Sequence, residues 1–156
     1  MRNQEISRQI QKLQYLIKRT NEVAKGDIEL QSHWAKYICV LCSGLLENAI
    51  QEFYYVFTQE RSNPAVASFV YAQLGKIQNP KTERFIKTSS QFNKTWAKEL
   101  EIFLSEKERK DAINSVISNR HKIAHGEDSD ITITRLKEYL ERIIQVLEFI
   151  DSQVNN

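Results

Sequence analysis

Apolar residues recur along this chain at helical rather than strand spacing. Between Asn3 and Lys25, the residues Ile6, Ile10, Leu13 and Ile17 form one stripe on a charged segment. That pattern predicts a helix with a single buried face. Gly26 offers a C′ residue able to take positive φ, and Asp27 offers a capping side chain for the next helix. The second helix is predicted over about Ile28–Glu60. From Trp34 to Phe57 it is apolar on most of its circumference, the mark of a central element around which others pack. Ser62-Asn63-Pro64 and Asn79-Pro80 each set a capping side chain before a proline suited to the first helical position, and Gly75 is the expected end of the helix between them. In FNKTWAKELEIFLSEKE, the residues Trp96, Leu100 and Phe103 again recur at helical spacing. Ser105 with Glu108 reads as a capping box, predicting the start of a helix that ends at Gly126. After the acidic loop GEDSD, Thr134 is the expected cap of the last helix. There Leu136, Leu140, Ile143, Leu147 and Ile150 follow a 4-3-4-3 spacing suited to packing along another helix.

Composition agrees with an all-α bundle built on a long central second helix. Only four glycines and two prolines leave too few turn formers for an all-β domain. The 156 residues, 41% of them hydrophobic, suffice for one core without disulfides, and no repeat or linker interrupts them. A single domain over 1–156 is therefore expected. The first 25 residues alternate charge with single apolar positions, unlike a signal peptide. The longest nearly uncharged run, Tyr37 to Gln51, contains Glu47 and is too short to span a membrane. A soluble, cytoplasmic protein with no membrane partner is the expectation. Cys39 and Cys42 form a lone CxxC crowded by Val40, Leu41 and Leu45. Zinc or redox chemistry would need a second ligand pair or an exposed electropositive turn, so the pair reads as two buried thiols.

Net charge is only +2, so contact with nucleic acid would have to come from a local patch. One exists. From Lys76 to Lys98 six basic residues face one acid, Glu83, for a net +5; from Glu127 to Asp151 seven acids face three bases, for −4. The basic segment reads as solvated surface or as a phosphate-tracking face aided by Tyr71, Phe85 or Trp96.

The stretch ISNRHKIAHGED, Ile117 to Asp128, holds two of the three histidines in the chain. On a helical wheel Arg120 falls in the middle of the stripe made by Ile113, Val116, Ile117, Ile123 and Ala124. His121 and His125 lie one turn apart on its flank. A buried arginine costs several kcal/mol unless it is paired. Three readings account for the group: a structural arginine with edge histidines; a metal site on His121 and His125; or a polyanion site in which arginine holds a phosphate and histidine moves protons near neutral pH. For a metal site only His33 remains as a further histidine, and no HExxH pattern occurs.

Arg120-His121-Lys122-Ile123-Ala124-His125 fits the R-x4-H motif of the HEPN superfamily, and NRHKIAHG resembles the RNxIAHG form of that motif. The stretch CVLCSGLLENAIQEF resembles the second helix of RiboL-PSP-type HEPN domains, including Glu47. NPKTERF, the Phe92–Trp96 pair and ITITRLKEYLERI are also similar, so the resemblance runs from Trp34 to Asp151. It implies an all-α HEPN bundle and, for many members, metal-independent endoribonuclease activity without a cofactor. In that chemistry the ribose 2′-OH attacks the adjacent phosphate and leaves a 2′,3′-cyclic phosphate. Arg120 would hold the charge developing on phosphate and His125 would transfer protons. His121 would assist, and Glu47 would orient Arg120 or a histidine unless it merely belongs to the polar face of Lys36 and Gln51. Asn119 and Lys122 would touch substrate. Since one His125 serves one role at a time, the resemblance further implies a homodimer with two motifs across a cleft. The implied partners are RNA, not DNA, and, for a toxin or defence effector, an antitoxin or other protein. Two other readings stand beside this one: a HEPN module that binds RNA or protein without catalysis, and a helical assembly protein.

Overall fold

The computed structural model describes residues 1–156, with seven helices and no strand. Helix α1 spans Gln4–Val23, α2 Ile28–Arg61, α3 Pro64–Leu74, α4 Thr82–Phe92, α5 Lys94–Ser105, α6 Arg109–Ala124 and α7 Ile133–Val154. The long second helix is the hub, in contact with α1, α3, α6 and α7. Its buried residues include Ile38, Cys39, Cys42, Leu45, Leu46, Ile50, Phe53 and Tyr54. The predicted stripes of α1 and α7 are buried at every named position. At roughly 1.5–3 kcal/mol for each large aliphatic side chain removed from water, these stripes are the main force assembling the bundle. The two ends of the chain meet: the Arg2 and Asn3 amides donate to the buried Asp151 carboxylate at the end of α7. No helix is long and apolar enough to cross a membrane.

Local punctuation falls where short-range chemistry demands it. Gly26 takes φ 80°, Asp27 Oδ1 accepts the Leu30 amide, and Asn63 caps α3 with Pro64 at its first position. Both cysteines are buried free thiols; burial pushes Cys39 up to about 12 and Cys42 further still.

Three starts differ from expectation. Asn79-Pro80 does not open α4; Asn79 adopts φ 49°, Pro80 is buried, and the helix begins at Thr82. Its cap comes from another helix, since Asn114 Oδ1 on α6 accepts from both the amide and the hydroxyl of Thr82. Ser105 and Glu108 form no capping box. The Ser105 hydroxyl donates back to Ile102 O in the last turn of α5, and Lys107 and Glu108 both take left-handed φ before α6 starts. The cap of α7 is Thr132, not Thr134. Ile131 and Ile133 are both buried, which places the hydroxyl of the intervening Thr132 at the helix start, accepting from the Arg135 amide.

Candidate functional site at the end of helix α6

Helix α6 is buried along Ala112, Ile113, Val116 and Ile117, and there the core ends. The next positions of the predicted stripe, Arg120 and Ile123, are half-buried and Ala124 is exposed. Arg120 is thus not a core arginine: beyond Ile117 the positions Ser118, Asn119, Arg120 and Ile123 are half-buried, with Ile123 packed at the core's edge, and His121, Lys122 and Ala124 are exposed. The Arg120 guanidinium makes no hydrogen bond or ion pair within the chain. The core does hold an arginine that the stripe did not disclose. Arg109, only 5% exposed, donates to Phe103 O and Gln145 Oε1, lies over the Phe103 ring at 3.7 Å and pairs with Glu106.

The helix end is closed by a Schellman motif. The Gly126 amide donates to Ile123 O, the Glu127 amide donates to Lys122 O, and Gly126 takes φ 68°. This closure fixes His125 as the C-cap, one turn after His121. Their exposed rings lie 4.3 Å apart between centroids, tilted by 54°. With Arg120 and Lys122 they put cationic and protonatable groups at the negative end of the helix dipole, where positive charge is favoured.

Spacing along α6 ties these histidines to a second feature. Asn114, Ser118, His121 and His125 recur at 4-3-4 spacing and share one face. Asn114 is the residue that caps α4. The same turn is held from its other side by α2, where Glu47 Oε1 accepts the Asn79 amide at 2.7 Å. On α2, positions 33, 36, 40 and 47 lie along one side, so His33, Lys36 and Val40 follow Glu47 toward the N-terminus. The two helices run antiparallel: Cys39 Sγ meets Val116 O, and Ser129, bonded to Asn119, borders Ile28, Gln31 and Ser32 of α2. The two helices therefore pack side by side. The turn Asn79–Thr82 lies toward one end of the pair, and His121, His125 and Arg120 stand at the other.

The expected site residues therefore separate. Arg120, His121, His125 and the exposed Lys122 come together. Glu47 does not reach them. It lies eight residues beyond Cys39 in the opposite direction, roughly 12 Å along the helix axis, and its carboxylate holds the Asn79–Thr82 turn. Asn119 is turned inward: its amide donates to Ser115 O and its carbonyl accepts from Ser129, clasping the acidic loop to α6. Asn114 and Arg109 were missed. Asn114 was open to discovery, since it continues the histidine face by two turns. The partners of Arg109 lie on α5 and α7, beyond any local pattern.

The basic residues Lys76, Lys81, Arg84, Lys87, Lys94 and Lys98 are all exposed, and Lys81 lies within the Asn79–Thr82 turn. Phe85, however, is fully buried and offers no stacking surface. Trp96 is half-buried, edge-on to Phe57 at 5.1 Å, whereas Tyr71 is exposed beside Tyr55. No group of three or more His, Cys, Asp or Glu side chains is arranged to hold a metal ion.

The family model described as RiboL-PSP-HEPN matches residues 2–156, and the chain belongs to that family. No curated protein and no solved structure matches it.

Proposed function

We propose that this RiboL-PSP-HEPN chain, as one domain over residues 1–156, is a metal-independent endoribonuclease whose reaction centre is Arg120 with His125. The observation that carries the reading is the unpaired, half-buried Arg120 beside two exposed imidazoles. A guanidinium with no protein partner retains its full hydrogen-bonding fork for phosphate. In the proposed step the ribose 2′-OH gives its proton to one His125 and its oxygen attacks the adjacent phosphorus. The bond from phosphorus to O5′ breaks, and the leaving O5′ takes a proton from a second His125. A 2′,3′-cyclic phosphate and a 5′-OH end remain. Arg120 neutralises the charge that builds on the phosphoryl oxygens, and each proton transfer is worth roughly 10²–10⁴ in rate.

His121, in ring contact with His125, orients it or substrate; Lys122 supplies a further phosphate contact. Glu47 and Asn119 act through structure, the first by holding the Asn79–Thr82 turn and the second by holding the acidic loop. The exposed bases from Lys81 onward extend the track for the RNA backbone. Since one chain carries one His125, a homodimer completes the acid–base pair. A toxin or defence role, restrained by an antitoxin, and a cytoplasmic location fit such an activity.

The test is a covalently tethered dimer of one wild-type chain and one His125→Ala chain. It should cut at least about 10²-fold more slowly than the tethered wild-type dimer, because only one His125 remains for two proton transfers. Retention of about half the wild-type rate ends the shared-site reading. RNA binding retained by a wild-type protein that never cuts would favour the non-catalytic module.

A further inference from the structure

Trp96 borders a cavity of about 500 Å³ between the first turns of α5 and the last turns of α7, within the size range of small-ligand sites. It lies apart from the Arg120 group: Gln153, on its wall, stands roughly 30 Å along α7 from the first residue of that helix, Ile133. Two half-buried rings belong to the wall, and each is braced by another aromatic. Trp96 is edge-on to Phe57 at 5.1 Å, and Phe149 is stacked on Phe103 at 4.2 Å. Gln153, only 7% exposed, ties the two helices together, its Nε2 donating to Trp96 O at 3.1 Å and to Glu99 Oε2 at 3.0 Å. Both partners of that nitrogen are acceptors, which identifies the other carboxamide atom as the oxygen. Gln153 Oε1 accepts nothing. A buried acceptor left without a donor is costly. Glu99 Oε1 is unused as well, so the two spare atoms of the Gln153–Glu99 bridge are both acceptors. The start of α5 offers no rival anion site, because Asn93 Oδ1 already accepts the Thr95 and Trp96 amides.

We infer that this cavity binds a guanine base of single-stranded RNA. Guanine is flat, and on its Watson–Crick edge N1–H and the N2 amino group stand side by side as donors. Adenine and cytosine set a ring acceptor beside their amino donor, and uracil sets two carbonyls beside its one imide donor. Each of them would turn an acceptor toward Gln153 or Glu99. Trp96 and Phe149 supply the stacking surface. A guanidinium would also present paired donors, but Lys94 and Lys98 adjoin the wall residues Thr95 and Glu99 and are both exposed. They oppose a cation and suit a phosphate. The same two lysines end the basic segment, so the cavity reads a base where the phosphate track stops. The choice of RNA rests on the proposed ribonuclease reading; the choice of guanine does not.

The test is titration calorimetry of the full chain with single-stranded 2′-O-methyl RNA, whose blocked 2′-oxygens prevent cleavage. A uridine tract with one guanosine should bind at least about tenfold more tightly than the same strand with adenosine, or with inosine, which lacks the N2 amino group. Glu99→Gln keeps an oxygen for Gln153 Nε2 and turns the spare oxygen into a donor. It should erase the preference for guanine and leave the melting temperature unchanged, since Glu99 is exposed. Equal affinity for the three strands, or a Glu99→Gln chain that still prefers guanine, overturns the proposal. Guanosine monophosphate bound as tightly as the guanine-bearing strand would assign the cavity to the free nucleotide and remove RNA as its source. A chain that prefers guanine but never cuts RNA keeps this site and removes the ribonuclease reading; one that cuts RNA but binds all three strands alike removes this site alone.

Discussion

The two ends of α6 each carry an arginine, and the protein treats them in opposite ways. At the N-terminal end Arg109 is buried against Phe103, with every near partner engaged and the stacked pair Phe103–Phe149, 4.2 Å between centroids, beneath it. It anchors a turn that contains two left-handed residues, Lys107 and Glu108. At the C-terminal end Arg120 is half-buried and unpaired, beyond Ile117, the last fully buried position of α6. A buried charge is tolerated only when it is fully satisfied; Arg109 meets that condition by its contacts, Arg120 by leaving the interior. One arginine belongs to the fold, and the other is free to act on something outside it.

Exchanging the arginines for alanine sharpens the contrast most. Arg120→Ala should lower RNA cleavage by about 10²–10³-fold or more while shifting stability by no more than about 0.5 kcal/mol, since it breaks no hydrogen bond or ion pair within the chain. Arg109→Ala should do the reverse. It strands Phe103 O and the Gln145 amide and opens a space over an aromatic ring, at a cost of about 2–4 kcal/mol, with cleavage per folded molecule retained. Denaturation and single-turnover cleavage on both variants decide the matter; an Arg120→Ala protein that is badly destabilised would erase the distinction.

Between the ends, Asn114→Ala removes the cap that α6 lends to α4. A loss of about 1–2 kcal/mol is expected, together with faster amide exchange at Thr82. Unchanged exchange there would show that the turn stands without α6. The smallest effect belongs to the start of α7. Thr132→Ala should cost about 1 kcal/mol and Thr134→Ala no more than about 0.5 kcal/mol, and equal losses would contradict the cap assignment.

The pattern of legible and illegible features follows from range. The seven helices, the stripes of α1 and α7, and the caps at Asp27 and Asn63 lie in neighbouring residues, so periodicity and side-chain chemistry reveal them. The start of α4 does not: its cap, Asn114, is 32 positions away in sequence. Ser105 and Thr134 carried the right chemistry at the wrong register, because burial of Ile131 and Ile133 and the left-handed pair Lys107–Glu108 set the true boundaries. For Arg120 the wheel gives the direction but not the depth. Periodicity says which way a side chain points, not where along the helix the core ends, and here it ends at Ile117. The motif is readable because R-x4-H and its closing glycine are local; the hold that Glu47 and Asn114 exert on one turn from two helices is not.

The central claim is that Arg120 and His125 cut RNA with the chain's own groups. It is tested most directly by end-group analysis of RNA incubated with the wild-type and His125→Ala proteins in excess chelator. The account predicts 2′,3′-cyclic phosphate and 5′-OH ends from the wild type, undiminished by the chelator, and no cleavage from His125→Ala. Cleavage that vanishes in chelator and returns with one divalent ion, or equal cleavage by the two proteins, would contradict it.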